Sequence, residues 1–384
     1  MNPLAEHYRR FRVAERLLLT GHSHQAWPDV ALEGQVEAFD DAALCVDEKW
    51  GRAFAKAERV REGLRALLGD PGGELALGSS THDLVLRFLS ALDLRSRPRL
   101  VTTDGEFHTL RRQLARLGED WLDVVRVDAR PADTLAERLA AAADERTSAI
   151  FVSAVLFADA RIVPHLDALA EACAERGIEL VVDAYHALGA VPFITPERAW
   201  VVGGGYKYLQ LGEGNCFLRV PPHTHGRRPA ITGWYAEFAA LAGPPIPGQV
   251  RYGRGAAAFA GSTYDPTSHY RAARVFDFFA EHGLTPEVLH ASYRRQVDLL
   301  AAHVDALGLG DELVTRDRET PLDRFGGFLA LRSPVADELQ RTLAERGVLT
   351  DSRGDYLRLG PAPYLADAQL EEAVATLGAA ALSH

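Results

Sequence analysis

Short apolar runs and longer amphipathic stretches alternate along much of this chain. Residues 101–103, 124–127, 149–153, 180–182 and 200–202 are compact and rich in Val, Ile and Thr, which marks them as strands. Between the earlier runs lie alanine-, leucine- and arginine-rich segments at 110–117, about 133–143 and 166–176, with helical spacing. A further helix is expected over 82–92. Strands separated by helices in this way predict βαβ units and an α/β fold with a mostly parallel sheet. The proline- and glycine-rich 243–248 segment reads as a loop. A long helix over 267–281 then leads into a smaller C-terminal part, with strands near 327–331 and 356–359. The expected division is an N-terminal segment (1–50), a large domain (51–265) and a small α+β domain (266–384). No 20–50-residue repeat is present.

A length of 384 residues suits a large domain plus a smaller one. Apolar residues at 47% and charged residues at 25% are ordinary globular values. No apolar run approaches the ~18 residues of a membrane span, and Leu17-Leu18-Leu19 is too short for a signal-peptide core. Cys45, Cys173 and Cys216 make neither a metal spacing nor a disulfide framework, so no metal and a cytoplasmic location are expected. A net charge of −11 argues against a nucleic-acid partner.

Lysine is rare here, with three against 39 arginines. Lys49 and Lys56 lie in a polar, helix-like stretch. Lys207 instead follows an apolar run and a glycine triplet, in Val201-Val202-Gly203-Gly204-Gly205-Tyr206-Lys207-Tyr208-Leu209. Desolvation lowers the pKa of an amine and readies it for Schiff-base chemistry; the alternative is a surface turn. Twenty-four positions earlier, Leu180-Val181-Val182-Asp183-Ala184-Tyr185-His186 reads as a strand ending in an acid and a histidine. The carboxyl ends of strands in α/β sheets carry ligand chemistry. An acid there can hold a protonated pyridine nitrogen, and the histidine can point into the same cavity. Asp183 can equally cap a following helix, but a lysine one short βαβ step later favours the site.

These residues carry a resemblance. Asp183-x-x-His186 followed by Tyr206-Lys207-Tyr208-Leu209 resembles the kynureninases, pyridoxal-phosphate (PLP) enzymes of fold type I in the class V aminotransferase group. Further stretches match in order: Leu77-Gly78-Ser79-Ser80-Thr81, Glu106-Phe107-His108, Thr232-Gly233-Trp234-Tyr235, and Asp351-Ser352-Arg353 with Leu357-Arg358-Leu359-Gly360-Pro361-Ala362-Pro363-Tyr364. The resemblance spans roughly residues 15 to 375. It implies an N-terminal segment that contributes to the active site and to the small domain, a large PLP-binding domain, a smaller α+β C-terminal domain and at least a homodimer with shared sites.

The resemblance also implies roles. Lys207 holds PLP, Asp183 its ring nitrogen and Phe107 its ring face. Ser80 and Thr81, at a helix start, take its phosphate, with Tyr206 adding a hydroxyl. Tyr206 and His186 assist in proton transfer and positioning. Arg358 binds the substrate carboxylate, with Arg353 a second candidate. Trp234, Ser262 and Thr263 reach the cofactor or substrate from a neighbouring subunit. His22, Ser23 and His24, with Trp27, supply a slot for an aryl ketone. The implied reaction cleaves the Cβ–Cγ bond of L-kynurenine or its 3-hydroxy form, giving anthranilate or 3-hydroxyanthranilate and L-alanine.

Several positions depart from the family pattern. Phe107-His108-Thr109-Leu110 replaces Phe-Pro-(Thr/Ser)-Asp, so a cofactor-site aspartate is missing. Gly21-His22-Ser23-His24-Gln25 replaces Gly-Asn-Ser-Leu-Gly. The same cofactor residues would serve an aminotransferase, lyase or epimerase acting on another amino acid. A cysteine desulfurase would need a persulfide cysteine in the C-terminal part, and no cysteine follows Cys216. A Rossmann-type oxidoreductase is disfavoured, because Gly203-Gly204-Gly205 lacks the Gly-x-Gly-x-x-Gly turn.

Overall fold

Ten α-helices and twelve strands appear among residues 2–241, 243–244 and 247–383, which the computed structural model describes. The helices are α1 (Val30–Cys45), α2 (Trp50–Leu68), α3 (Thr81–Ser90), α4 (His108–Asp120), α5 (Leu135–Ala142), α6 (Leu166–Glu175), α7 (Thr267–Glu281), α8 (Pro286–Ala306), α9 (Ala336–Glu345) and α10 (Asp367–Ala381). Seven strands form the central sheet: β2 (Glu74–Gly78), β3 (Arg99–Thr103), β4 (Asp123–Val127), β5 (Thr147–Ser153), β6 (Glu179–Asp183), β7 (Ala199–Gly204) and β8 (Cys216–Val220). Their spatial order is β2-β8-β7-β6-β5-β3-β4, and only β8 runs antiparallel to its neighbours. A three-stranded antiparallel sheet joins β11 (Asp351–Arg353), β12 (Tyr356–Leu359) and β9 (Leu329–Arg332). Short β1 (Leu17–Leu18) pairs with β10 (Val348–Leu349), which ties the N-terminal segment to the C-terminal part.

The expected mostly parallel α/β sheet is present, and the reason is burial on both faces. Along β5, β6 and β7, successive side chains enter two different apolar clusters. Ile150, Val152, Leu180, Val182 and Val201 pack with Leu135, Leu139, Leu166 and Leu169 of α5 and α6. Phe151, Val181, Trp200 and Val202 pack with Leu84, Val85 and Phe88 of α3. Burying one such side chain is worth roughly 1.5–3 kcal/mol, so a one-residue slip in register would be prohibitive.

Two features differ from the sequence expectation. No helix lies between β6 and β7; residues 184–198 run through turns, so the step from Asp183 to Lys207 is not a βαβ unit. Strands β2 and β8 at one side of the sheet carried no clear alternating pattern. The 243–248 segment is partly described, with residues 245 and 246 outside the described set. Among the described residues, no helix is long and apolar enough to cross a membrane.

Candidate active site

The carboxyl ends of β3, β5, β6 and β7 converge at one edge of the sheet, and the chemistry-bearing residues gather there. Lys207 lies three residues beyond β7 and is only 6% exposed. Its Nζ stands 2.8 Å from His186 Nε2. The rings of Tyr185, Phe107 and Tyr206 lie 5.0, 5.5 and 5.9 Å away. Burial pushes the Lys207 ammonium down to about 7; nearby Asp183 opposes this, and Arg358 adds to it. His186 is held well below its ordinary value by burial first and by Lys207 next, so it is neutral at pH 7. His186 Nε2 also lies 3.1 Å from the His22 carbonyl. A neutral ring nitrogen either accepts or donates, so the tautomer of His186 is coupled to the state of Lys207.

Asp183 closes β6. One carboxylate oxygen accepts the Tyr185 amide at 2.8 Å. The other is left for the narrow cavity that Asp183 lines with Thr81, His82, Phe107 and Leu110. Burial raises its pKa, while the Tyr185 amide and Lys207 oppose the rise. Since no helix follows β6, Asp183 has no helix to cap. Leu110 is half-buried in the same cavity, so the position that departs from the family pattern presents an apolar wall there.

Two residues that sequence reasoning passed over belong to this group. Glu106 is fully buried; it accepts the Ser153 amide (3.1 Å), the Ser153 hydroxyl (2.6 Å) and the Thr103 hydroxyl (2.7 Å). Burial pushes its carboxyl up to about 7 against those bonds, with Asp183 adding to the rise. Tyr185 lies over Gly204, where a Cβ would fall 2.2 Å from the phenol oxygen. The middle glycine of the triplet therefore makes room for an aromatic wall beside Lys207. The triplet was the available signal, but its meaning depends on which strand neighbours it.

Ser80 is the N-cap of α3, its hydroxyl accepting the Asp83 amide at 3.1 Å, so this side chain is already engaged. Thr81 begins α3 and lines the cavity, which places a helix N-terminus at the Asp183 end of the site. Tyr206 packs against Tyr185, ring centres 4.9 Å apart, and carries His24 stacked on it at 4.7 Å.

Arg358 lies on β12 and is 3% exposed. Asp351 faces it directly across the β11–β12 hairpin. Arg358 Nε and Nη2 donate to the two Asp351 oxygens at 2.8 and 2.5 Å, and Nη1 donates to the Phe157 carbonyl. Arg353 is more exposed and stands 3.7 Å from Asp351.

The N-terminal segment is only partly where the aryl-slot expectation put it. His22 is fully buried, stacked on Phe328 at 4.5 Å and bonded through Nε2 to Asp351 at 2.8 Å; it lines no slot. Trp27 packs against Phe11 and under Arg271, away from Lys207. Ser23 is half-buried beside the exposed His24. Trp234 donates to Thr263 at 3.1 Å within an exposed aromatic cluster that includes Tyr235 and Phe238, and these contacts do not reach Lys207. Ser262 precedes Thr263 on the same exposed segment.

Comparison with known proteins shows what the chain is similar to. The sequence profile of the DegT/DnrJ/EryC1/StrS aminotransferase family matches residues 34–192. A kynureninase from Deinococcus radiodurans is 28% identical over 354 residues, covering 85% of this chain and 78% of that protein. An uncharacterized aminotransferase of Bacillus subtilis, YcbU, is 23% identical over 99% of both chains. Among solved structures, C-DES with glycine covalently linked to its PLP cofactor superimposes with a TM-score of 0.82 at 14% identity, covering 98% of this chain and 99% of that one. An apo cysteine desulfurase from Thermococcus onnurineus NA1 gives 0.80 at 15% identity, covering 100% and 99%.

Proposed function

We propose that this chain, which has the fold of the type I PLP-dependent enzymes, binds PLP at Lys207 and hydrolyses the Cβ–Cγ bond of L-kynurenine or a close γ-keto analogue, releasing alanine. The observation that carries the cofactor reading is the buried Lys207 amine, between Phe107 and Tyr185, with a free Asp183 oxygen in the adjoining cavity. Those residues fit the group: an amine for its carbonyl, an acid for its ring nitrogen, an aromatic face, and the start of α3 for its phosphate.

When bound, PLP supplies an electron sink for bonds at the substrate α- and β-carbons. The protein supplies everything else. Lys207, with a pKa near 7, exists substantially as the free amine at neutral pH and can take and return a proton at the substrate α-carbon. Asp183, an acid held in an apolar setting, keeps a proton on the pyridine nitrogen by a charge-assisted hydrogen bond. Thr81 and Tyr206 serve the phosphate end. His186 orients the Lys207 amine through their 2.8 Å contact. Arg358 takes the substrate carboxylate. Trp234 and Thr263, exposed on this chain, complete the neighbouring site in a homodimer.

The kynurenine assignment rests on the Deinococcus kynureninase, similar over 85% of this chain. Desulfurase chemistry is disfavoured by the absence of any cysteine after Cys216. The aminotransferase-family profile over residues 34–192 supports a second reading, transamination of another amino acid. One assay separates them. The purified protein is expected to carry a visible absorption band that Lys207→Ala abolishes, and to release anthranilate and alanine in equal amounts from L-kynurenine. Consumption of a keto acid with the carbon skeleton intact would establish transamination, and a protein that stays colourless with added PLP would refute both.

A further inference from the structure

The guanidinium of Arg358 is not free in the site, and the way it is held assigns work to Asp351 and to His22, which departs from the family pattern. Arginine has five N–H donors. Three are used here: Nε and one hydrogen of Nη2 on Asp351, and one hydrogen of Nη1 on the Phe157 carbonyl. One hydrogen remains on each terminal nitrogen, two donors left for a carboxylate. Asp351 thus occupies the Nε side of the guanidinium and leaves one donor on each terminal nitrogen without a protein partner.

Asp351 is itself held by His22. The ring nitrogen Nε2 of His22 meets the Asp351 oxygen Oδ1 at 2.8 Å, and a carboxylate only accepts, so Nε2 carries the hydrogen. The ring is fully buried and stacked on Phe328, the same ring over which the Arg358 guanidinium lies at 5.6 Å. Burial holds His22 down to about 4, so it stays neutral at physiological pH and presents a single donor to Asp351. Nδ1 has no partner and faces Gly360, where a Cβ would fall 2.1 Å from it. Gly21 is equally constrained, since a Cβ there would meet the Pro361 carbonyl at 2.2 Å. Two glycines therefore let the N-terminal segment press His22 against the hairpin. Its backbone carbonyl, 3.1 Å from His186 Nε2, links the same residue to the lysine end of the site.

We infer that His22 and Asp351 are positioning residues for the Arg358 guanidinium, holding its two remaining N–H donors for the substrate carboxylate at a set place relative to Lys207. This rests on the reading of Arg358 given above. A rival account would make Asp351 a competing anion that masks Arg358. The two accounts predict opposite signs, because removing the Asp351 charge then either loosens or tightens carboxylate binding.

The test uses the PLP-loaded protein with L-alanine and L-alaninamide, which differ only in the carboxylate, and follows the shift of the visible band to obtain two dissociation constants. Their ratio, amide over acid, measures carboxylate recognition. It is expected to fall about tenfold or more in Asp351→Asn and in His22→Leu, the loss that follows from breaking a hydrogen bond to a charged group. His22→Gln, which can return an N–H to Asp351, is expected to keep most of it. The intact visible band in each variant shows that folding and cofactor loading persist, and the His22 pair supplies the comparison should Asp351→Asn load poorly. Tighter L-alanine binding in Asp351→Asn, or an unchanged ratio where Arg358→Gln lowers it, would overturn the inference alone. An unchanged ratio in Arg358→Gln would remove Arg358 as the carboxylate ligand, and this inference with it.

Discussion

Replacing Lys207 by methionine in the cofactor-free protein tests the electrostatics of the site without any substrate. With a pKa of 10.5 in the unfolded chain and about 7 in the folded one, the unfolded state binds more protons between those values, so stability rises with pH across that window. The depressed amine costs the fold roughly 5 kcal/mol at pH 6, where it is charged in both states, and roughly 2 kcal/mol at pH 9. Methionine has a similar length and no charge. Lys207→Met is therefore expected to be more stable than wild type at pH 6, with an advantage that shrinks by about 3 kcal/mol at pH 9. Lost contacts such as the 2.8 Å approach to His186 offset the advantage at both pH values and leave the change between them nearly untouched. His186 is neutral throughout, and Glu106, which titrates near 7, does so in both proteins and largely cancels. Urea denaturation at the two pH values measures the difference directly. A stability gap that stays flat from pH 6 to pH 9 would show a solvated lysine of ordinary pKa and refute the argument.

Asp183→Asn is expected to retain PLP, seen by its absorbance, yet lose roughly two or more orders of magnitude in turnover, because an amide no longer holds the ring nitrogen protonated; near-normal turnover would exclude that role. Gly204→Ala should force the Tyr185 phenol away from β7, since its Cβ would sit 2.2 Å from that oxygen. A loss of about 1–3 kcal/mol by chemical denaturation, with weaker PLP binding by titration, is expected, and a neutral effect would mean Tyr185 relaxes freely. Trp234→Ala should lower activity more than it lowers folding stability if this exposed ring completes a partner's site. Sedimentation of the wild type as a monomer at working concentration would contradict that reading.

Local chemistry and periodicity carried much of this protein into view. Short apolar runs rich in Val and Ile, separated by stretches with helical spacing, favour strands in a covered sheet, so β3 to β7 and the helices between most of them follow from composition and spacing. The isolation of Lys207 among arginines and the acid at the end of the Leu180-Val181-Val182 run marked two groups that the structure brings to one edge of the sheet. The Asp351–Arg358 pair was legible in principle, because a hairpin turning at Gly354-Asp355 sets residues 351 and 358 opposite one another. Tertiary structure alone decided the rest. Asp183 lost its alternative as a helix cap only because residues 184–198 fold as turns. Tyr185 and Glu106 joined the site through neighbours far away in the chain, Gly204 and Ser153. His22 looked like a polar residue for a substrate slot, and packing 329 residues away placed it behind Arg358 instead. The physical reason is the same in each case. A side chain's type and its near neighbours set what it can do, but desolvation, tautomer and pKa depend on which distant surfaces cover it, and that is a property of the packed chain.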